Sequence, residues 1–243
     1  MKGYEIMNSV HTVLITGASS GIGKAMVKYL SASGYRVVLV ARHLGKLQEV
    51  VGEISGESLC IPYDLQDLCN IETIFKKCSE NGIKLYGMVH CAGINRDQPV
   101  KTNNLNDMIE VMNLNLMSFI ELAKYFYKRK YSEDGGAIVA MSSMAAFDCA
   151  KGMCTYSASK AGVDAAVQVM SKEFAKRKIR VNSIQPSFVN TPMARMTVNY
   201  EAKFNAQPLG VIEPQYIAYL AGFLLSDEAK YISGSNIKVS AGV

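Results

Sequence analysis

A tyrosine and a lysine four residues apart form a pair that could carry out proton transfer. Tyr156 and Lys160 lie in the segment TYSASKAG, and Ser143 precedes the tyrosine by 13 residues. Four residues make about one helical turn, so both side chains are expected on one face of a helix. A nearby ammonium favours phenolate and is expected to lower the tyrosine pKa from about 10. The pair therefore predicts a general acid or base acting at a carbonyl or alcohol oxygen, a reaction that also needs an electron source.

A glycine-rich turn near the N-terminus could bind a dinucleotide that supplies the electrons. The apolar run Val13 to Thr16 predicts a buried strand, and a helical pattern follows the turn. Between them, Gly17, Gly21 and Gly23 have the spacing G-x3-G-x-G. A strand, a glycine turn and a helix present backbone amides and a helix N-terminus to a pyrophosphate. Glycines also end strands and cap helices, so the downstream tyrosine and lysine strengthen this interpretation.

Apolar runs alternate with helical patterns along the chain, which predicts an α/β fold. We expect strands near residues 11–16, 35–41, 57–62, 85–90, 136–142, 179–185 and 236–239. We expect helices near residues 21–33, 44–54, 67–81, 104–130, 154–177 and 213–226. The sequence predicts a flexible extension over residues 1–9. Residues 10–243 are predicted to form one Rossmann-like, doubly wound parallel sheet of about seven strands with helices on both faces.

Composition argues against several classes of protein. The 243 residues are 49% hydrophobic and 19% charged, with a formal net charge of +5. No apolar run approaches the roughly 18 residues that span a bilayer, and the N-terminus does not resemble a signal sequence, so we expect a cytoplasmic protein with no membrane partner. The six cysteines and three histidines lack ligand spacing, which predicts reduced thiols and no metal site. Aromatic residues are not interleaved with cations, which argues against nucleic acid.

Two basic clusters stand out, Lys128 to Lys130 and Lys172 to Lys178. Both lie late in predicted helices, where cations complement the helix dipole, so we expect them to stay solvated. Docking of an acidic partner or of a phosphorylated substrate is the alternative.

Several motifs in order resemble the short-chain dehydrogenase/reductase family over essentially the whole chain. The segment TGASSGIG at residues 16–23 is similar to the cofactor turn of that family, and residues 186–191 are similar to its nicotinamide segment. The resemblance implies a catalytic tetrad of Asn115, Ser143, Tyr156 and Lys160. Ser142 competes with Ser143 for its role, and the 13-residue offset to Tyr156 favours Ser143.

The resemblance also implies a set of cofactor contacts. These residues are Gly17, Ser19, Ser20, Gly21, Ile22, Gly23, Arg42, His43, Asp64, Leu65, Cys91, Ala92, Gly93, Tyr156, Lys160, Pro186, Val189 and Thr191. Cys91 stands where the family has an asparagine, and Ser187 stands where it has a glycine. Neither departure alters the proton chemistry, so the implied activity is retained.

The end of the second predicted strand favours NADP(H) over NAD(H). Arg42 stands where NAD-selective relatives place an aspartate, and its guanidinium could form a fork to a 2′-phosphate, assisted by His43. Ser20 stands where many NADP-dependent relatives have a second cation. A solvated arginine in a turn is the alternative interpretation of Arg42.

The implied reaction is reduction of a ketone. Tyr156 would donate the proton, and Ser143 would hydrogen-bond to the carbonyl oxygen. Lys160 would lower the tyrosine pKa and bind the nicotinamide ribose, while Asn115 would hold a water of the proton relay. Residues 192–210 follow the sixth predicted strand and are expected to form a substrate lid, with an ordinary surface loop as the alternative.

The substrate and the partners stay open. Residues 93–97 (GINRD) resemble those of 3-oxoacyl-[acyl-carrier-protein] reductases, in which basic residues near the positions of Arg129 and Lys172 face the acidic carrier protein. A reductase of a keto-sugar, a steroid or a small ketone is the alternative, and a non-catalytic NADP(H)-binding sensor is another. The family implies a homodimer or homotetramer, for which Val163, Ala166, Val167 and Met170 offer an apolar stripe that core packing would explain equally well.

Overall fold

The computed structural model describes residues 10–197 and 199–243, and the predicted extension over residues 1–9 lies outside this range. One sheet of seven strands has the order β3-β2-β1-β4-β5-β6-β7. The strands are β1 (Thr12–Thr16), β2 (Arg36–Ala41), β3 (Ser58–Pro62), β4 (Leu85–His90), β5 (Ser132–Met141), β6 (Arg180–Pro186) and β7 (Asn236–Val239). Every neighbouring pair is parallel, which confirms the predicted doubly wound sheet.

Helices cover both faces of the sheet. The α-helices of the described residues are α1 (Gly21–Ala32), α2 (Leu44–Val51), α3 (Glu72–Glu80), α4 (Leu105–Met112), α5 (Ser118–Phe126), α6 (Cys154–Glu173), α7 (Pro192–Arg195), α8 (Tyr200–Asn205) and α9 (Pro214–Leu225). Short 3-10 turns lie at Leu68–Asn70, Val100–Thr102, Met144–Ala146, Phe174–Arg177 and Asp227–Ala229. No helix among the described residues has both the length and the apolar composition to cross a membrane.

Two hydrophobic cores lie on opposite faces of the sheet because successive strand residues point in opposite directions. Leu14 of β1 packs into one core with Phe75 of α3 and Phe119 of α5. Its neighbour Val13 packs into the other core with Met26 of α1. The central strands are therefore buried on both faces, as parallel strands usually are, and form a rigid support for the loops that follow them.

Three elements differ from the expected pattern. The single helix expected over residues 104–130 is interrupted by a π-helical turn, Asn113–Met117, between α4 and α5. Strand β5 begins at Ser132, before the start expected near residue 136. There is no room for a side chain at Gly136, because a Cβ would stand 2.1 Å from the Tyr86 carbonyl oxygen. The expected loop over residues 192–210 contains α7 and α8.

The expectation of solvated basic clusters is wrong for one residue. Arg177 is only 4% exposed. Its guanidinium donates to the main-chain oxygens of Ser132 and Glu133 and lies 2.7 Å from an oxygen of Asp134. The side chain ties the end of α6 to the start of β5, so burial is compensated by charge-assisted hydrogen bonds.

The apolar stripe of α6 belongs to the core. Val163, Val167 and Met170 are buried among residues of the sheet and of α5, and Ala166 packs partly buried against them. Core packing thus accounts for this stripe without a second subunit.

Candidate active site

Most of the predicted site residues follow the carboxyl ends of strands. The glycine turn follows β1, Arg42 follows β2, Asp64 follows β3, Cys91 follows β4 and Ser143 follows β5. Because all strands run in parallel, these ends meet at one edge of the sheet. Strand β1 lies between β2 and β4, where the strand order reverses. The chain builds β2 and β3 on one side of β1 and then crosses to β4 on the other side, which opens a crevice at that edge.

The glycines of the turn are required by close contacts. A Cβ at Gly23 would stand 2.1 Å from the Gly17 carbonyl oxygen, and a Cβ at Gly17 would stand 2.9 Å from the Ala92 nitrogen. Gly17 and Gly21 also have positive φ angles of 64° and 50°. These glycines let the N-terminus of α1 approach the ends of β1 and β4, with no side chain between the backbone and a ligand.

The turn lines a cavity of about 170 Å³. Its other walls are formed by Cys91, Ala92, Gly93, Met141, Ser142, Tyr156, Lys160, Thr191, Pro192 and Met193. Helix α1 opens toward this cavity, and the side chain of its N-cap residue, Ser20, makes no capping hydrogen bond. Free amides at a helix N-terminus fit a pyrophosphate, so these residues could hold a dinucleotide.

Some predicted cofactor contacts lie outside the walls of this cavity. Arg42 and His43 are exposed after β2, and Asp64 is exposed after β3, where its carboxylate accepts a hydrogen bond from the Gln66 amide at 3.0 Å. Leu65 is 4% exposed, and its side chain packs into the core. Arg42 and Asp64 occupy neighbouring strand ends, toward which the adenosine half of a dinucleotide would extend. Ser19, half-buried in the turn, also lies outside these walls, and Pro186 and Val189 line the adjoining cavity described below.

Lys160 lies one turn after Tyr156 on α6, as the spacing predicts. Its ammonium donates to the Met141 carbonyl at 2.7 Å and lies 5.8 Å from the centre of the Tyr156 ring. Burial lowers the pKa of Lys160 to about 8, while interactions with Cys91 and Asp164 act to raise it. The lysine is therefore poised to gain or lose its proton just above neutral pH.

The expected lowering of the Tyr156 pKa is wrong for the protein alone. Burial raises the pKa of Tyr156, an interaction with the Ser143 hydroxyl lowers it, and the charge of Asp97 raises it further. The ammonium of Lys160 is engaged by the Met141 carbonyl, so desolvation of the phenol dominates. Near neutral pH, Tyr156 is therefore a neutral phenol, the form that can donate a proton.

The two adjacent serines have separate surroundings. Ser142 is 4% exposed, and its hydroxyl donates to the main-chain oxygen of Lys160 at 3.2 Å. Ser143 caps the 3-10 turn that begins at Met144, and its hydroxyl interacts with the phenol of Tyr156. Ser143 therefore faces the acid, while Ser142 fastens helix α6 to strand β5.

Asn115 lies in the π-helical turn and is fully buried. Its amide oxygen accepts from the Ile94 nitrogen at 2.8 Å, and its amide nitrogen donates to the Ile94 oxygen and to the Ser159 hydroxyl. A Cβ at Gly93 would stand 3.1 Å from the Asn115 amide oxygen and 3.4 Å from Lys160 Nζ. The asparagine side chain thus clamps the segment after β4 beside the lysine, and its amide is satisfied by protein groups.

A buried histidine behind the site was not among the residues expected from the sequence. His90 is fully buried, and its Nδ1 lies 3.0 Å from the Thr16 hydroxyl, which also accepts the Ala92 amide. Burial lowers the pKa of His90 to about 3, and the charge of Lys160 lowers it too. The neutral imidazole joins the ends of β1 and β4. Only the placement of both residues at strand ends could have indicated this contact.

The thiol next to His90 is also uncharged, because burial raises the pKa of Cys91 to about 12. No group of three or more histidine, cysteine or acidic side chains suited to a metal ion occurs in the described part of the chain.

A second cavity of about 410 Å³ adjoins the first, and Tyr156 lines both. Ser143 and Tyr156 form its polar inner wall, while α7 and α8 contribute Met193 and Lys203. Its apolar lining also includes Met144, Met153, Phe188 and Val243. A phenol between the glycine-lined crevice and an apolar cavity can protonate an oxygen of a molecule held in that cavity.

Comparisons with known proteins agree with this geometry. Residues 11–202 match the family described as short chain dehydrogenase. The chain is 31% identical over 230 residues to the bovine (Bos taurus) 3-oxoacyl-[acyl-carrier-protein] reductase, covering 94% of this chain and 96% of that protein. It is 34% identical over 236 residues to carbonyl reductase family member 4 of Danio rerio, covering 95% and 96%. A crystal structure of a dehydrogenase/reductase from Sinorhizobium meliloti superposes with a TM-score of 0.89 at 29% identity, covering 96% and 94% of the two chains.

Proposed function

This chain belongs to the short-chain dehydrogenase family, an oxidoreductase family acting on CH-OH and C=O groups, and we propose that it reduces a ketone to a secondary alcohol with NADPH. The observation that carries this proposal is the position of Tyr156 in the wall shared by the two cavities. A proton donor at that point can act on a carbonyl oxygen while the carbonyl carbon faces the glycine-lined crevice.

In the proposed reaction the side chains bind and protonate the substrate. NADPH, when bound, supplies the hydride that the carbonyl carbon accepts. Tyr156 donates its proton to the carbonyl oxygen, and Ser143 donates a hydrogen bond to that oxygen as negative charge develops. Lys160 stabilises the phenolate that is left, and Asn115 holds the segment after β4 in place. The tetrad predicted from the sequence is retained here as a proposal.

Selection of NADPH is proposed to depend on Arg42. Its side chain is exposed at the end of β2 and makes no ion pair with the described residues, so its guanidinium is available to a 2′-phosphate. His43 is exposed beside it.

The substrate is proposed to be a ketone with an apolar body. Relatives include both 3-oxoacyl-[acyl-carrier-protein] reductases and carbonyl reductases, so a 3-oxoacyl group on acyl carrier protein and a smaller ketone are both supported. Arg129, a candidate contact to a carrier, already lies 2.9 Å from Asp134. Lys203 lines the substrate cavity, and its Nζ lies 4.9 Å from the centre of the Phe188 ring. Its ammonium could contact a polar group of the substrate.

The test is NADPH consumption with a panel of ketones. Acetoacetyl thioesters, keto-sugars, steroid ketones and small diketones are offered at equal concentration, and absorbance of NADPH is followed. Fast turnover of the acetoacetyl thioester favours a 3-oxoacyl-[acyl-carrier-protein] reductase. Turnover of only a keto-sugar, a steroid ketone or a small diketone favours a reductase of that class of ketone. Tight NADPH binding with no turnover of any member would contradict the proposal and favour a sensor. The cytoplasmic location and the assembly into a homodimer or homotetramer stay predictions. Gel filtration with light scattering tests the assembly.

A further inference from the structure

The catalytic face of α6 continues one turn beyond Lys160 to a buried acid. Asp164 follows Lys160 by four residues, so both lie on the same side of the helix, toward the sheet. Asp164 is only 7% exposed. Its two carboxylate oxygens accept hydrogen bonds from Ser183 Oγ and Gln185 Nε2, both at 2.7 Å. Both donors belong to β6, the strand that leads into the loop lining both cavities.

Hydrogen bonds from two neutral donors hold the Asp164 carboxylate in place. Neither donor is charged, and no lysine, arginine or histidine of the described residues lies within ion-pair distance of this carboxylate. Its charge therefore acts through the protein interior on the ammonium of Lys160, one helical turn earlier on α6.

We propose that Asp164 is a positioning residue of this site, and that its buried carboxylate keeps Lys160 in the charged form that supports Tyr156. The inference rests on the proposed function for its meaning in catalysis, but its electrostatic part concerns the protein alone.

The other titratable groups around Lys160 leave this role to Asp164. From β4 and its end, His90 is neutral with a pKa of about 3, and Cys91 is a neutral thiol with a pKa of about 12. On α6, burial raises the pKa of Tyr156, so the phenol is also neutral. The Met141 carbonyl contributes a dipole but no charge. At neutral pH, Asp164 is thus the anion among these groups that opposes the desolvation of the ammonium.

The competing explanation is that Asp164 only joins α6 to β6. Asp164→Asn removes the charge and keeps the shape, while Ser183→Ala removes one hydrogen bond and keeps the charge. The double variant Asp164→Asn/Gln185→Glu exchanges the amide and the carboxylate across the same contact. It restores a buried charge near the lysine, so the three variants separate charge from packing.

The measurement is the reactivity of Lys160 toward acetic anhydride as a function of pH, followed by mass spectrometry on the cofactor-free protein. We expect the titration midpoint in Asp164→Asn to fall by about one pH unit, because removing a nearby opposite charge shifts a pKa by that order. Ser183→Ala should leave the midpoint within about 0.3 units, and the double variant should recover at least about half of the shift. The alkaline limb of NADPH-dependent turnover should move to lower pH in parallel.

An unchanged midpoint in Asp164→Asn, with or without loss of thermal stability, would overturn the proposal. Should that variant fail to fold, Asp164→Ser replaces it, since serine is neutral and can still pair with Gln185. A shifted midpoint in a protein that reduces no ketone would contradict the proposed function while leaving the electrostatic role of Asp164 intact.

Discussion

At the scale of single residues, the surroundings of Tyr156 determine which protonation state the phenol holds. Burial raises its pKa, and the Ser143 hydroxyl only partly opposes this effect. A neutral phenol is the reactant form for reduction, whereas oxidation of an alcohol needs the phenolate. The raised pKa of Tyr156 therefore supports the proposed direction, reduction, near neutral pH, and in that reaction Lys160 becomes most important once the proton has left.

Replacing Tyr156 by phenylalanine tests the proton donor. Tyr156→Phe should lower kcat for ketone reduction by about 100-fold or more, the range of general acid catalysis, because only the hydroxyl is lost. Affinity for NADPH, measured by fluorescence titration, should change less than about threefold, since the contacts to the glycine turn are unaltered. Cys154→Ser, an exposed residue on the first turn of the same helix, is the matched control. Undiminished turnover of the phenylalanine variant would contradict the assigned role.

The pH dependence of reduction should follow Lys160. Burial lowers its pKa to about 8, so the ammonium is present below that pH and is lost as the pH rises through it. Reduction measured as kcat/KM should therefore decline above about pH 8, before Tyr156, whose pKa is raised, loses its own proton. His90, with a pKa of about 3, contributes no limb near neutral pH. A profile that stays flat to about pH 10 would show that the charge of Lys160 is not required.

At the scale of elements, the carboxyl-terminal end of α9 depends on a buried cation. Arg180 on β6 is 8% exposed, and its guanidinium donates to the main-chain oxygens of Leu224, Leu225 and Ser226. These carbonyls belong to the last turn of the helix and the residue after it, where acceptors lack partners within the helix. The contact connects strand β6 to a helix that packs against α1, the helix that follows the glycine turn.

Removing this contact should be costly. Arg180→Ala should lower the free energy of unfolding by about 2–3 kcal/mol, because several buried acceptors lose a charged donor. Urea unfolding followed by circular dichroism measures the change. Arg129→Ala is the control, since the Arg129 side chain is 73% exposed and its ion pair with Asp134 should contribute less than about 1 kcal/mol. Equal losses in the two variants would contradict the role of burial.

Local patterns identified the sheet well but not every element. The strands are continuous apolar runs, so their positions agree with expectation to within about one residue except at β5. The π-helical turn around Asn115 is not visible in the sequence, because the apolar pattern continues through it. Helices α7 and α8 are too short for a periodic signal and depend on tertiary contacts, such as the Thr191 cap and the burial of Phe204. The link from Asp164 to β6 joins residues about 20 positions apart and needs the fold to bring them together.

At the scale of the whole molecule, parallel strands gather distant segments at one edge. Thr16 and His90 are 74 residues apart in the chain but within hydrogen-bonding distance where β1 meets β4. The glycine turn and α6 likewise form two walls of one cavity. Ligand binding in this crevice should therefore stabilise the molecule as a unit, since the ligand would contact the ends of several central strands.

This coupling predicts how strongly each cofactor protects the fold. A ligand that binds only the folded state at 100 times its Kd adds about 2.7 kcal/mol, which raises Tm by roughly 5–10 °C for a chain of this size. At equal concentrations NADPH should raise Tm more than NADH, because the exposed guanidinium of Arg42 can pair with the 2′-phosphate. Arg42→Asp should remove that difference or reverse it, since a carboxylate repels the phosphate and can accept the ribose hydroxyls of NADH. Lys46→Asp, an exposed change of equal charge on α2, controls for general electrostatics. An equal rise in Tm with NADPH and with NADH in the unaltered protein would contradict the proposed preference for NADPH and the role of Arg42 in it.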